Sequence, residues 1–461
     1  MALLTGPGSV EAPVIESFAA TPLENAIIDS ERPDYPMVTL TELWVGVPLD
    51  PDRLAAALAT VRRRHPMMSV RLRRAGALDR GRTWERVGDP DVEPCIDLGE
   101  LDRGELEAAR NALLSAHLPL EVAPPFRLAV ASVDDASVVL LVAHHAAFDG
   151  IGGVALLRSV AAAYVGRVPP EDTSDERLEA SRRPEIPGKA VSAEGRTSPV
   201  ERARWLASVT ASPAARVQPA GQLEGARTPA RSATRATAWL PAGGSVGERV
   251  PTANDLLLGA FHLTVEAWNR AVGAADTDRV SVTVPVSMRS ENHRGRLIAN
   301  LTMQADTISV ASSRQDPAVL RSQLADQTAR IRAGGVADEP TTWLPLRWVP
   351  VRLRPSLMRL AARVGGDRLL ASARLSNLGR QDYPEFTDAG FVVEHLWFYP
   401  PVRMPQGVVV GATVIEDTIH LSFCWSRAQF DDRRGRAFAE MYGRSLQAIE
   451  AGVVWGSATA C

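Results

Sequence analysis

Two apolar periods alternate along the first third of the chain, and each change of period marks a new element. "MVTLTELWVGVPLD" (37–50) is dense in β-branched and aromatic residues and predicts a strand. Asp50-Pro51 then opens a helix, because aspartate can cap the first free N–H groups and proline suits the first helical position. Leu54, Ala57, Leu58 and Val61 form its apolar face at helical spacing, and "RRRHP" ends it. "MSVRLRR" and "TWERVG" predict two neighbouring strands, and "LDRGELEAARNALLSAH" a second helix. "FRLAVASVDDASVVLLVAHHA" predicts two strands turning at Asp134-Asp135, and "GGVALLRSVAAAYVG" a helix after them.

Near residue 166 the periodicity stops. "VPPEDTSDERLEASRRPEIPGKAVSAEGRTSP" is rich in Pro, Ser and charge and reads as an irregular connection. "VERARWLASV" predicts a short helix before a second irregular stretch at 211–231. The style of the first half then returns. "TANDLLLGAFHLTVEAWNRAV" is a long helix in which Thr252 and Asp255 fit a capping box. "RVSVTVPVSMRS" and "LTMQADTISV" predict strands, "VVVGATVIEDTIHLSFCWS" a β-hairpin, and "DDRRGRAFAEMYGRSLQAIEAG" a closing helix with Phe438, Met441, Tyr442 and Ile449 on its apolar face. The expected architecture is α/β, with two lobes that each pack helices on a mixed sheet. The lobes are drawn at 1–165 and 201–461, with 166–200 between them.

Composition narrows the chemistry. With 461 residues, 45% hydrophobic, 23% charged and a formal net charge of −3, the chain has the profile of a globular protein of two or three domains, or of two lobes sharing one interface. Without a basic block it is not expected to bind nucleic acid, and no apolar run approaches the ~20 residues of a membrane span. The N-terminal residues lack the form of a signal peptide, so the expected location is cytoplasmic. Cys95, Cys424 and Cys461 are odd in number and far apart, which gives neither a disulfide framework nor a zinc spacing. The single lysine, Lys189, lies in the polar connection, a poor setting for a Schiff base. No G-x-S-x-G elbow is present, and Cys95 has no base near it in sequence, so nothing points to a covalent acyl-enzyme.

Against this background His144 and His145 stand out, two adjacent histidines at the end of a strand that otherwise reads as core. Side chains alternate along a strand, so the two face opposite ways and need separate explanations. One reading is a satisfied core or surface histidine. A metal site is another, but His145 and Asp149 are too few ligands. His144 and Asp149 also fit H-x-x-x-x-D, in which the histidine is a base and the aspartate orients it.

A fourth reading uses every fixed position. "HHAAFDG" resembles HHxxxDG, the signature of the condensation-domain superfamily, which includes nonribosomal peptide synthetase condensation domains and chloramphenicol acetyltransferase-like, coenzyme A-dependent acyltransferases. "VRRRHPMMSVRLR" is similar to the family's RHxxLRxxF-like segment. "TVPVSMRS" (283–290) looks like its PVxxR strand end, with "LIANLTMQ" after it, and "RLSNLGR" (374–380) is similar to the SNxG stretch. There are departures: no acidic residue follows His65, Ala299 stands where glycine is frequent, and the family's first motif is barely recognisable in "SFAATPLENAIID".

The resemblance implies two chloramphenicol acetyltransferase-like lobes, each an α+β two-layer sandwich, in a V-shaped pseudo-dimer with a tunnel between them. It implies a free-standing acyltransferase of natural-product biosynthesis that forms an ester or amide. The acyl thioester would be carried on the phosphopantetheine arm of an acyl or peptidyl carrier protein or on coenzyme A, and would react with a small hydroxyl or amine nucleophile. No cofactor or metal is implied as bound. His145 would be the base, its ordinary pKa leaving free imidazole at working pH. Asp149 would pair with Arg289 in the core, with His144 packed in the same loop. Gly150 would let the thioester arm pass. Ser376 and Asn377 would hydrogen-bond substrate or oxyanion, or merely satisfy their own strand end. Two other outcomes fit the same fold: a carrier-protein recruitment module, or a non-acyl-transfer reaction on a carrier-bound intermediate.

Overall fold

The computed structural model describes residues 12–32, 35–182, 212–225, 230–239, 252–274, 277–293, 295–332, 348–365 and 370–451. The short helix expected in "VERARWLASV" and the part of the connection at 183–200 lie outside the described residues.

Two sheets organise the molecule. The first has five strands in the order Val393–Tyr399, Val38–Val45, Ala136–His144, Phe126–Val133, Cys95–Glu100. The hairpin between Phe126–Val133 and Ala136–His144 turns on two residues, Asp134 and Asp135, at φ 49° and 64°. This left-handed pair suits the twist of the strands, and aspartate tolerates it better than most residues. The strand Ala136–His144 is buried on both faces. Val139, Leu141 and Ala143 join the core under the helices Pro51–Arg64 and Gly150–Tyr164. Val138, Leu140 and Val142 pack instead with Leu106, Leu113 and Leu114 of the helix Arg103–Ser115, and with Ala233, Val409 and Cys424 of the other sheet. This second layer holds the lobes together.

The second sheet has six strands in the order Thr302–Val310, Arg279–Ser287, Ala373–Arg380, Val408–Ile415, Thr418–Ser426, Arg231–Trp239. Ala373–Arg380 runs parallel to both neighbours, and the other pairings are antiparallel. Val280, Val282, Val284, Ala373 and Leu375 turn inward against the helices Ala253–Ala271, Pro317–Arg332 and Asp432–Ala451. The first of these starts with the capping box of Thr252 and Asp255. The lobes form a V-shaped pseudo-dimer of mixed α/β layers.

Two features depart from the sequence reading. Chain order puts Val393–Tyr399 in the second lobe, but its backbone pairs antiparallel with Val38–Val45 of the first sheet. This crossing strand carries Tyr399, whose hydroxyl donates to the buried Glu42 at 2.9 Å. The connection read as irregular contains a helix, Ser174–Arg182. It has no apolar stripe to betray it. Thr173 and Glu176 cap it reciprocally, and Arg177 is buried against the Glu24 carboxylate and the Ala19 carbonyl. A charge 153 residues away in sequence holds this helix, and no local periodicity encodes such a partner.

Candidate active site

The strand Ala136–His144 ends where the backbone leaves the ladder: the Ala147 and Phe148 N–H groups fold back onto the His144 carbonyl. This tight turn fixes both imidazoles, in opposite tautomers. Nδ1 of His144 accepts the Ala146 N–H at 3.1 Å, so its proton sits on Nε2 and is donated to Glu31 Oε2 at 3.1 Å. His144 is fully buried. Burial works against the Glu31 carboxylate, but the bonds from His144 and the Met37 N–H outweigh it and hold the pKa below the usual range.

His145 is the reverse case. Its Nδ1 lies 3.1 Å from the Phe148 carbonyl, which can only accept, so the proton is on Nδ1 and the basic lone pair is on Nε2. The ring lines a cavity of about 190 Å³ between the lobes. Burial pushes its pKa down to about 4, with Arg374 and His144 acting in the same direction. It is neutral at ordinary pH. Asn300 donates its side-chain amide to the His145 carbonyl and anchors the turn from the second lobe.

Asp149 starts the helix Gly150–Tyr164, and its Oδ1 caps the Gly152 N–H at 2.6 Å. Its Oδ2 accepts from Arg289 Nη1 at 2.6 Å, the Leu301 N–H at 2.8 Å and the Thr302 hydroxyl at 2.7 Å. Burial alone would raise its pKa; Arg289 and the backbone N–H bonds overcome it and keep the carboxylate charged. Arg289 is itself buried and spends further N–H groups on the Leu297 and Ala299 carbonyls. The H-x-x-x-x-D pairing has no counterpart here, since His144 bonds to Glu31 and Ala146 while Asp149 serves four other donors. Among the described residues no group of three or more His, Cys, Asp or Glu could hold a metal ion.

The remaining residues singled out in the sequence fall on the same cavity. Gly150 lines it at a crowded point: a Cβ there would lie 2.6 Å from Leu378 Cδ2 and 2.8 Å from Phe398 Cζ. The tightness comes from these side chains of the second half of the chain. Ser376 and Asn377 line the same cavity. Asn377 Oδ1 accepts the Gly379 N–H at 2.9 Å, which leaves its NH2 as the free donor end. Sequence reasoning does not single out Arg374, Gln304 or Asn300, which share the wall. The signal that could find the first two is alternation: Arg374 and Ser376 against the core residues Ala373 and Leu375 on one strand, and Thr302, Gln304 and Asp306 on another, keep a non-core face.

Residues 39–177, which include the paired histidines and Asp149, match the family model described as "Condensation domain". That part of the chain is similar to the condensation-domain family. Two uncharacterized Mycobacterium tuberculosis proteins, from strains CDC 1551 / Oshkosh and ATCC 25618 / H37Rv, are each 29% identical to it over 436 residues, 94% of this chain and 99% of theirs. Among solved structures, a mutant of the starter condensation domain of rhizomide synthetase RzmA in complex with C8-CoA aligns at TM-score 0.65 and 15% identity, covering 95% of this chain and 96% of that one. The epimerization domain of the third module of tyrocidine synthetase B aligns at 0.59 and 17%, covering 96% and 98%. At these identities the structures share the condensation-domain fold with this chain. No helix among the described residues is long and apolar enough to cross a membrane.

Burial of neutral imidazoles has a measurable consequence. His145, His262 and His420 are held near pKa 4, 3 and 4, with burial the first cause of each. Unfolded, each titrates near ~6.5, so below that pH the unfolded chain binds more protons than the folded one. Stability is therefore lost as pH falls from about 6.5 to 5, by about 1.4 kcal/mol per pH unit for each such histidine. Urea unfolding across that window should show a steadily falling midpoint; a constant midpoint would contradict buried neutral imidazoles.

Proposed function

We propose that this protein is a member of the condensation-domain superfamily and an acyltransferase that joins an acyl thioester to an amine or hydroxyl, forming an amide or ester. The observation that carries this reading is the tautomer of His145: Nδ1–H committed to the Phe148 carbonyl, and a neutral lone pair on Nε2 at an inter-lobe cavity. Nε2 takes the proton of the nucleophile as its N or O attacks the thioester carbonyl. The tetrahedral intermediate collapses, the C–S bond breaks, and the leaving thiolate recovers the proton from Nε2. Asp149 takes no proton in this scheme; with Arg289 it holds the loop from which His145 projects. Ser376 and the Asn377 NH2, which line the same cavity, are the donors we propose for the developing oxyanion. The donor is carried on the phosphopantetheine of a carrier protein or on coenzyme A. The starter condensation domain with a similar fold, bound to C8-CoA, supports a donor of this kind.

The test is intact-mass analysis of octanoyl-loaded carrier protein, and of octanoyl coenzyme A, incubated with the protein and a panel of amines and alcohols. Loss of the octanoyl group, with matching amide or ester formed, is the expected result. Binding of the carrier protein with its acyl group untouched would make the chain a recruitment module instead. Isomerised or dehydrated acyl groups would indicate a non-transfer reaction on the carrier-bound intermediate.

A further inference from the structure

Both histidines are tied to the C-terminal end of the helix Pro22–Ser30. Glu31 is the first residue beyond that helix, and its backbone N–H closes the last turn on the Ile27 carbonyl at 3.1 Å. Its carboxylate meets two donors. Oε2 accepts the His144 Nε2–H at 3.1 Å, and Oε1 accepts the Met37 N–H at 3.0 Å. Met37 in turn holds the second histidine, because its carbonyl accepts the His145 N–H at 2.7 Å. One carboxylate therefore binds the ring of the first histidine and the residue that binds the backbone of the second. Glu31 does this from outside the cavity: it is not among the residues that line it, and its side chain is 14% exposed. Its helix does reach the cavity, where Leu23 and Ile27 form part of the wall.

The pattern of donors calls for a carboxylate. His144 Nδ1 is occupied as an acceptor of the Ala146 N–H, so the ring proton stays on Nε2 and needs an acceptor. The Met37 N–H needs one as well. An ionised carboxylate offers an acceptor oxygen to each. A glutamine of the same shape cannot. With its oxygen on His144 it turns NH2 against the Met37 N–H, and flipped it turns NH2 against the His144 Nε2–H. Either way two donors face each other, and one bond on which the turn rests is lost.

We propose that Glu31 is a positioning residue: acting through His144 and Met37, it sets the place and orientation of the His145 ring. Its effect on rate rests on the acyl-transfer reading; its effect on the ring does not. Glu31 touches no reacting atom. It fixes where Nε2 of His145 points, and a general base misplaced by a fraction of an ångström loses much of its effect.

The ring and the rate are measured separately on the full-length protein. In the first arm, long-range proton–nitrogen correlation spectra of histidine-labelled protein report which ring nitrogen carries the proton. The unmodified protein should show His144 protonated on Nε2 and His145 on Nδ1. In Glu31→Gln both should become mixtures of tautomers, while the thermal melt stays a single cooperative transition. Glu31→Asp keeps the charge on a shorter arm and should give an intermediate spectrum; it also carries the test if the amide variant does not fold. A His145 spectrum that is unchanged in these variants overturns the proposal. In the second arm, turnover of octanoyl thioester is followed with the preferred nucleophile. Glu31→Gln should lower kcat by about 10–100-fold, the scale of a misplaced group, and leave KM within about twofold. On the His145→Ala background the same change should lower the residual rate by less than about twofold, because the group it positions is gone. An equal loss on both backgrounds would make Glu31 a support of the fold at large and overturn the proposal. If the unmodified protein transfers no acyl group, the acyl-transfer reading falls, and the spectra alone decide whether Glu31 places the ring.

Discussion

Replacing His145 with alanine lowers acyl-transfer turnover by about 10²–10⁴, the loss typical of a general base, with the fold intact. The geometry explains why the two effects separate. The His145 ring makes one structural bond, to the Phe148 carbonyl, and otherwise lines the cavity. The turn is held by groups that the substitution leaves in place, namely the His145 N–H on the Met37 carbonyl and Asn300 on the His145 carbonyl. The pH profile supplies a second check. Because burial and Arg374 hold the imidazole near pKa 4, kcat/KM should show no inflection near ~6.5 from this group and should fall only as pH approaches 4. A His145→Ala protein that keeps near-native rates with a weak nucleophile would end the base assignment. So would an acid limb centred on the ordinary histidine pKa that disappears with no other change.

Removing either charge of the Asp149–Arg289 pair destabilises the protein by about 3–5 kcal/mol, the cost of leaving its partner buried and uncompensated. Both side chains are about 2% exposed or less, and they meet at 2.6 Å. Asp149→Asn keeps the shape but replaces an ionic acceptor with a neutral one that faces the Arg289 guanidinium. It also weakens the cap on Gly152 and the bonds from Leu301 and Thr302. Arg289→Met removes the cation and frees the Leu297 and Ala299 carbonyls. The double change should cost less than the sum of the singles, because no lone charge remains. Thermal melts of the four proteins measure the coupling. Additive melts, or an Asp149→Asn protein that is stable but inactive, would reject the ion pair as the purpose of this aspartate.

Much of this protein is written in short stretches of sequence, and the remainder is written in no stretch at all. Asp50-Pro51, the Asp134-Asp135 turn and the Thr252–Asp255 box act through close neighbours in the chain, so the elements they bound are legible along it. Alternation predicts that the two adjacent histidines face different ways, and "HHAAFDG" with "TVPVSMRS" carries the resemblance to the condensation-domain superfamily. The helix Ser174–Arg182 and the crossing strand Val393–Tyr399 are not legible in this way. One is held by a buried Arg177–Glu24 contact, and the other by a ladder to a strand near the start of the chain. The site divides along the same line. Sequence singles out His144, His145, Asp149, Gly150, Arg289, Ser376 and Asn377, but which nitrogen of each histidine holds the proton depends on a carboxylate at Glu31 and a carbonyl at Phe148. Arg374, Gln304 and Asn300 become neighbours of His145 only when the second sheet closes the cavity. Periodicity and capping are local energies that a sequence displays directly. Buried charge pairs and cavity walls depend on low dielectric and on partners far away in the chain, so they exist only once the chain has packed.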